Sequence, residues 1–502
     1  MTIVGQSARL GGARERFYEW MGVLNDLKGS IRLLDWDRET AMPASGAEAR
    51  ARVVATLHAL RHRELLRPEI RDDLAALAEG TEPDGPEAAM LRLAAREIRR
   101  AERVPEALVR ETSEATSHAV SVWLEARHDD FDAFAPALGR LVALTRETAE
   151  AMELGEEPYD ALLDRFEPGA LTSELEPFFA ELCTRLGSLA GGVDRAPPPR
   201  PFAGRSWSPS TQMAVARDVA GLVGFDLDSG IIALSAHPFT GSPHRGDVRF
   251  TTRFLDDDPT SNVLVTLHEA GHGLYSQGHP GEYERTLLHW SPSLGAEESQ
   301  SRFWENHLGR RLSFWRAIDP ILRSRFGSSM DGIAPEDLYR ATAVVPPGWS
   351  RMEAGQVTYD LHIALRFRLE LALVRGTLAV PDLPDAWREG MEDLLGVRPE
   401  GAEQGPMQDI HWAAGLIGYF PTYTLGNLYA AQLAEALEEA AGPIDELIAR
   451  GGFGEALAFM RERVHRHGSI MPTSELMRRA TGRPFSADAL LAHLERAAAD
   501  GA

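Results

Sequence analysis

The stretch DDPTSNVLVTLHEAGHGLYSQG, residues 257–278, decides how the rest of the chain is read. Asp258-Pro259-Thr260-Ser261 has the composition of a helix start, with Thr260 or Ser261 as N-cap. Val263, Leu264, Leu267 and Leu274 follow at near-helical spacing. On that helix His268 and His272 stand four apart and share a face, so both imidazoles can reach one metal ion. Glu269 then lies where it can approach a water on that ion. Two ligands and one general base are what metal-assisted peptide hydrolysis needs. The H-E-x-x-H pattern is short enough to arise by chance. The bland alternative, two satisfied histidines and a solvated Glu, leaves a charge on a largely apolar helix, which is costly.

Working outward, most of the chain predicts helix. Apolar positions recur at helical spacing over about 13–34, 47–77 and 86–126, with breaks or kinks at Pro68 and Pro105. Further helices are predicted at 131–154, 174–191, 211–225, 297–318, 353–375 and 429–441. Only 230–236 and 247–254 predict strands, the second (DVRFTTRF) just before the H-E-x-x-H helix. The fold class expected is mainly α, with a small β-sheet next to the metal-binding helix. Loops are marked at 195–201, 345–348 and 398–407. The candidate chemistry runs from residue 237 to 423, so residues 1–502 are expected to form a single catalytic unit, two lobes flanking a groove being compatible with it.

Of 502 residues, 44% are hydrophobic and 25% charged, an ordinary soluble composition. The net charge of −23 opposes binding to nucleic acid and to anionic membrane surfaces, and no basic run offsets it. Lys28 is the only lysine, which nearly excludes lysine nucleophiles or Schiff bases. Cys183 is the only cysteine, so no intrachain disulfide and no cysteine zinc site can form. The N-terminal segment lacks a long apolar core. A reducing, cytoplasmic setting and no membrane partner are expected.

Two histidines leave a catalytic zinc short of a third ligand. Downstream, Glu297, Glu298 and Glu305 offer carboxylates, and spacing does not choose among them.

The chain resembles the carboxypeptidase Taq family of thermostable zinc metallocarboxypeptidases. His237-Pro238-Phe239 matches HPF, and Asp247-Val-Arg249-Phe-Thr251 matches D-x-R-x-T. HEAGH follows at 268–272, and Glu297-Glu298-Ser299-Gln300 matches H-E-S-Q. Gly405-Pro-Met-Gln408-Asp409-Ile-His411-Trp412 matches G-x-x-Q-D-x-H-W, followed by GYFPTYTLGN at 418–427. LLDWDRETAMPASGAEAR at 33–50 also fits. Two blocks depart: Glu297 replaces the family's His, and Ser350-Arg351-Met-Glu-Ala354-Gly355 has lost the Ile and Asp of I-R-x-x-A-D. The second loss suggests a looser pocket or a substitute group.

The resemblance implies a large helical peptidase fold with a deep substrate groove, zinc at its floor (one ion per subunit, cobalt able to substitute) and a homodimer. It implies Glu298 as third ligand beside His268 and His272, and removal of the C-terminal residue from peptides with a free C-terminus, with broad specificity. Glu269 is expected as general base and acid, with Tyr423 and His411 as donors to the developing oxyanion. Tyr419 is a second tyrosine nearby. An exopeptidase must also bind a free carboxylate, which arginine does best. Arg351 is the first candidate, then Arg249 and Arg253. Asp409 and His237 are expected to support a neighbour. Two other readings compete: an oligopeptidase or dipeptidase cutting inside short peptides, and a metal- or peptide-binding scaffold without catalysis.

Overall fold

In a computed structural model of the chain, residues 3–193, 199–343 and 345–500 are described. The proline-rich loop expected at 195–201 lies outside the described residues as far as 198.

The fold is helical with one three-stranded sheet among the described residues. The proline breaks fall where expected. One helix ends at Leu65 and the next spans Pro68–Ala78; Pro86–Arg103 and Glu106–Ala126 divide around Pro105. In the sheet, β1 (Gly230–Leu234) pairs in parallel with β3 (Asp247–Thr252). The strand β2 (Thr240–His244) pairs antiparallel on the other side of β3, with an irregularity between Gly241 and His244. The sequence reading missed β2. Its residues, TGSPH, carry a Gly, a Pro and no β-branched residue beyond Thr240, so local preference argues against a strand. Pairing with β3 at a sheet edge overrides that preference.

The histidine helix, Pro259–Gly278, lies against this sheet. Its N-cap is Asp258, whose carboxylate accepts from the Thr260 and Ser261 amides at 2.9 and 3.3 Å. This corrects the expected cap by two or three residues. Pro259 occupies the first helical position, where its missing N–H costs nothing, and the residue before it must therefore cap. Leu267, Ala270 and Leu274 are fully buried.

The single helix expected over 297–318 is three elements. Leu294–Arg302 is α-helical, Phe303–Gly309 continues as a π-helix, and Leu312–Phe326 starts anew. Another helix begins at Pro421, eight residues before the expected 429.

Apolar side chains gather into two cores. The larger runs from Ala119 to Leu494 and includes the histidine helix. The smaller is built by the N-terminal helices, among them Ile3–Thr40 and Pro86–Arg103, with Tyr283 and Leu288. No helix among the described residues is long and apolar enough to cross a membrane.

Candidate active site

Two helices meet at the histidines because glycine lets them. A Cβ at Gly271 would lie 2.6 Å from the Gln300 carbonyl oxygen and 2.7 Å from the Ser301 Cα. On the far side, a Cβ at Gly426 would lie 2.5 Å from the Glu298 Cγ. The helix Leu294–Arg302 is thus clamped between two helices at distances only glycine permits. Glu298 is thereby carried to the histidine pair. Glu167, buried beneath, accepts from the Gly295 amide and fixes the start of that helix; burial pushes its pKa up to about 8.

Donor atoms of His268, His272 and Glu298 all lie within 4.8 Å of one another. Glu298 Oε2 is 3.9 Å from His268 Nε2 and 3.5 Å from His272 Nε2. Tetrahedral zinc with bonds of about 2.0–2.1 Å places its ligands about 3.3 Å apart, so this donor set fits one ion with small adjustments. Of the three carboxylates left open by spacing, Glu298 joins the histidines. Glu305 plays another part: its Oε2 lies 2.9 Å from His268 Nδ1, leaving Nε2 to face the site. The π-helical turn carries Glu305 to that position. Arg302 donates to Glu298 at 2.7 Å, and Arg310 donates to Glu305 at 2.9 Å. Burial opposes the charge on both carboxylates, but these arginines and the histidines hold both pKa values well below the usual range. Burial likewise opposes charge on His272, but Glu298, with help from Glu269 and Glu297, raises it to about 9. The site as a whole favours a cation.

Glu269 is buried, and Thr240 on β2 donates to its Oε2 at 2.7 Å. A cavity of about 480 Å³ opens over it, walled by His268, His272, Glu298, Tyr419 and Tyr423. A neighbouring cavity of about 680 Å³ shares Pro238, His268 and Glu269 with the first and reaches Arg253. Together they form a groove across the histidines.

The other expected residues divide. Arg253 lines the groove, and among the described residues it makes no ion pair and its buried Nε has no acceptor. Arg351 is buried, donating to Asp409 Oδ1 at 2.8 and 3.0 Å and to the Tyr359 hydroxyl at 3.2 Å. It does not line the groove. The expectation that it meets a substrate carboxylate is corrected: Asp409 already occupies it. Arg249 donates to Asp247 at 2.6 and 2.9 Å and lies over the Trp36 ring, also away from the groove wall. His411 stands behind Tyr423, its Nε2 3.1 Å from the hydroxyl, and is not a wall residue. Burial holds His411 down to about 4 despite Asp409, so it is neutral at neutral pH. Asp409 takes both Arg351 and Arg366 (2.7 Å) and lies 3.9 Å from His411 Nδ1, beyond hydrogen-bond distance. His237 is exposed, and no hydrogen bond joins its side chain to these groups among the described residues.

Arg302 and Thr240 were missed as site residues, and Glu305, offered only as a possible third ligand, supports His268 instead. Arg302 and Glu305 follow Glu298 by four and seven positions on one helical face, a signal that was present. At Gly355 the backbone passes close to Val345, where an added Cβ would lie 2.9 Å from the Val345 carbonyl oxygen.

Fold and site together point to a metallopeptidase with an open groove over His268, His272 and Glu298, which could hold a metal ion. The chain belongs to the carboxypeptidase Taq (M32) metallopeptidase family, whose model matches residues 17–498. Thermostable carboxypeptidase 1 of Thermus thermophilus is 42% identical over 480 residues, covering 92% of this chain and 94% of that protein. Carboxypeptidase 1 of Bacillus subtilis is 32% identical over 487 residues, covering 96% and 97%. The crystal structure of an M32 carboxypeptidase from Deinococcus radiodurans superposes with a TM-score of 0.93 at 35% identity, covering 97% of this chain and 99% of that one. The chain is a metallocarboxypeptidase, a peptide hydrolase.

Proposed function

We propose that the chain is a zinc carboxypeptidase of broad specificity, removing the C-terminal residue from peptides with a free carboxylate. It would act in the cytoplasm as a homodimer, each 1–502 chain forming one catalytic unit with one zinc, for which cobalt can substitute. The observation that carries the reading is the joining of three metal-ligand side chains, Glu269 and an unpaired Arg253 along one groove.

His268, His272 and Glu298 would hold the zinc, which when bound polarises the scissile carbonyl and acidifies a water. Glu269, steadied by Thr240, takes the proton from the attacking water and delivers it to the leaving amine. Tyr423 donates to the carbonyl oxygen as charge develops there, and Tyr419 flanks it. His411 and Arg351 position Tyr423 from behind, the guanidinium 5.1 Å from its ring centroid. Arg253 receives the terminal carboxylate.

The test is a mass-spectrometric time course on one peptide and its C-amidated twin, with zinc-loaded and chelator-stripped enzyme. One-residue losses from the free acid only, dependent on metal, are expected, and Arg253→Met should narrow the acid-over-amide preference. Internal cuts in both peptides would make it an oligopeptidase, and no cleavage with metal bound would make it a scaffold.

A further inference from the structure

A third cavity, about 230 Å³, opens in the seam between the two cores. Six cations line it: Lys28, Arg32, Arg61, Arg96, Arg100 and Arg165. The sequence reading found no basic cluster, because these residues are scattered over four segments and converge only in the fold. In a chain of net charge −23 such a concentration needs a reason.

Acids answer only half of it. Glu97 pairs with Arg61 at 2.7 Å; Asp164 lies 3.2 Å from Arg96 and 3.6 Å from Arg100. Among the described residues Lys28, Arg32 and Arg165 make no ion pair. They lie over aromatic rings instead, Lys28 and Arg32 on Trp290 at 3.8 and 4.9 Å and Arg165 on Phe166 at 5.1 Å. Arg61 Nε, Arg96 Nε and Arg100 Nη2 are buried donors with no acceptor. Such orphans are costly, and a carboxylate entering the cavity would supply the missing acceptor. Burial, then the charges of Arg32 and Arg61, pushes Lys28 down to about 7, and burial and neighbouring positive charge lower Arg100 too.

The cavity adjoins the groove. Arg32, Leu294 and Glu297 line both it and the metal-site cavity, and Glu298 follows Glu297 in sequence. It shares no wall residue with the Arg253 cavity, which meets the metal site from elsewhere. A peptide whose terminal carboxylate meets Arg253 therefore runs its amino side past the metal ligands toward Arg32.

We infer that this basic cavity is a specificity subsite that binds an acidic side chain, Asp or Glu, on the amino side of the scissile bond. The direction of the peptide rests on the carboxylate-binding reading of Arg253. Stacked guanidinium planes present their N–H edges to such a carboxylate.

Two peptide series with a common C-terminal residue, carrying Glu or Gln at successive upstream positions, test it with the metal-loaded enzyme. At one upstream position Glu should be preferred by about tenfold in kcat/KM, through KM, with the preference shrinking in salt. Arg165→Gln, on an exposed residue, and Lys28→Met should each cut the ratio to about threefold or less. Ratios within about twofold at every position overturn the inference, as does a preference unchanged in both variants. If inorganic phosphate alters hydrolysis of Glu and Gln peptides alike and no Glu preference exists, the cavity serves a free anion and the inference falls. Failure of the Arg253 reading looks different: acid-over-amide discrimination would survive Arg253→Met, whatever the Glu-to-Gln ratio.

Discussion

At the candidate metal site Glu298 is met by Arg302 and Glu305 by Arg310, while in the cavity across Glu297 three of six cations make no ion pair among the described residues. The first network is nearly saturated, with His272 Nδ1 its one buried atom left without a partner among the described residues. Its charges cancel locally, so its side chains are held in place before any substrate arrives, and its chemistry depends on that fixity. The second is unsaturated. Its donors are paid for elsewhere in the fold and remain available to an anion. Neighbouring pockets of one groove thus divide the work, one built to hold geometry and the other to attract charge.

Breaking the saturated network should give the larger effects. Glu269→Gln leaves the ligands in place and removes the base, so kcat should fall by about 10³-fold or more while metal content, read by atomic emission, stays near one per chain. Near-normal turnover in that variant would end the general-base assignment. Glu305→Ala frees His268 Nδ1 and should weaken metal affinity by about 10–100-fold in a competition titration against a chelator. Unchanged affinity would mean that His268 is oriented by packing alone. Gly271→Ala forces the histidine helix away from Gln300 and Ser301, and should cost about 1–3 kcal/mol in denaturant melts, with weaker metal binding in parallel. A variant as stable as the parent would show that the two helices can slide apart freely.

The unsaturated pocket predicts the opposite sign. Lys28 has its folded-state pKa lowered to about 7 from 10.5, so the folded chain binds fewer protons than the unfolded one between those values. Its destabilising contribution is full below pH 7 and disappears as pH rises toward 10.5. Lys28→Met should therefore stabilise the protein by about 1–2 kcal/mol at pH 7, after allowance for partial solvent exposure, and by less at pH 10. Destabilisation at both pH values would show that its stacking on Trp290 outweighs the unpaired charge.

How far each pocket could be read from sequence follows from the same contrast. His268, Glu269 and His272 lie within one helical turn and a half, so the helix period alone places them together. Helices with strong apolar periodicity and proline stops were legible for the same local reason, as at Pro68 and Pro105. Where local preference and tertiary pairing disagreed, reading failed: β2 has little strand character of its own, and the helix through Glu305 is broken by a π-turn and Gly309 rather than by any proline. Arg351 shows a different failure. Its motif position was evident, but its partner Asp409 lies 58 residues away, and only their contact shows that its charge is already taken.

The sequence by itself determined the helical class, the histidine pair with Glu269 beside it and, through its motif blocks, the family. Tertiary structure alone decided that Glu298 and Glu305 take different parts, that Arg351 and Arg249 are paired with carboxylates while Arg253 has no ion pair among the described residues, and that scattered cations gather beside the groove. The physical reason is range. Helix periodicity and proline breaks act over a few residues and are written in order along the chain, whereas charge neutralisation depends on which distant side chains the packed helices bring within about 4 Å.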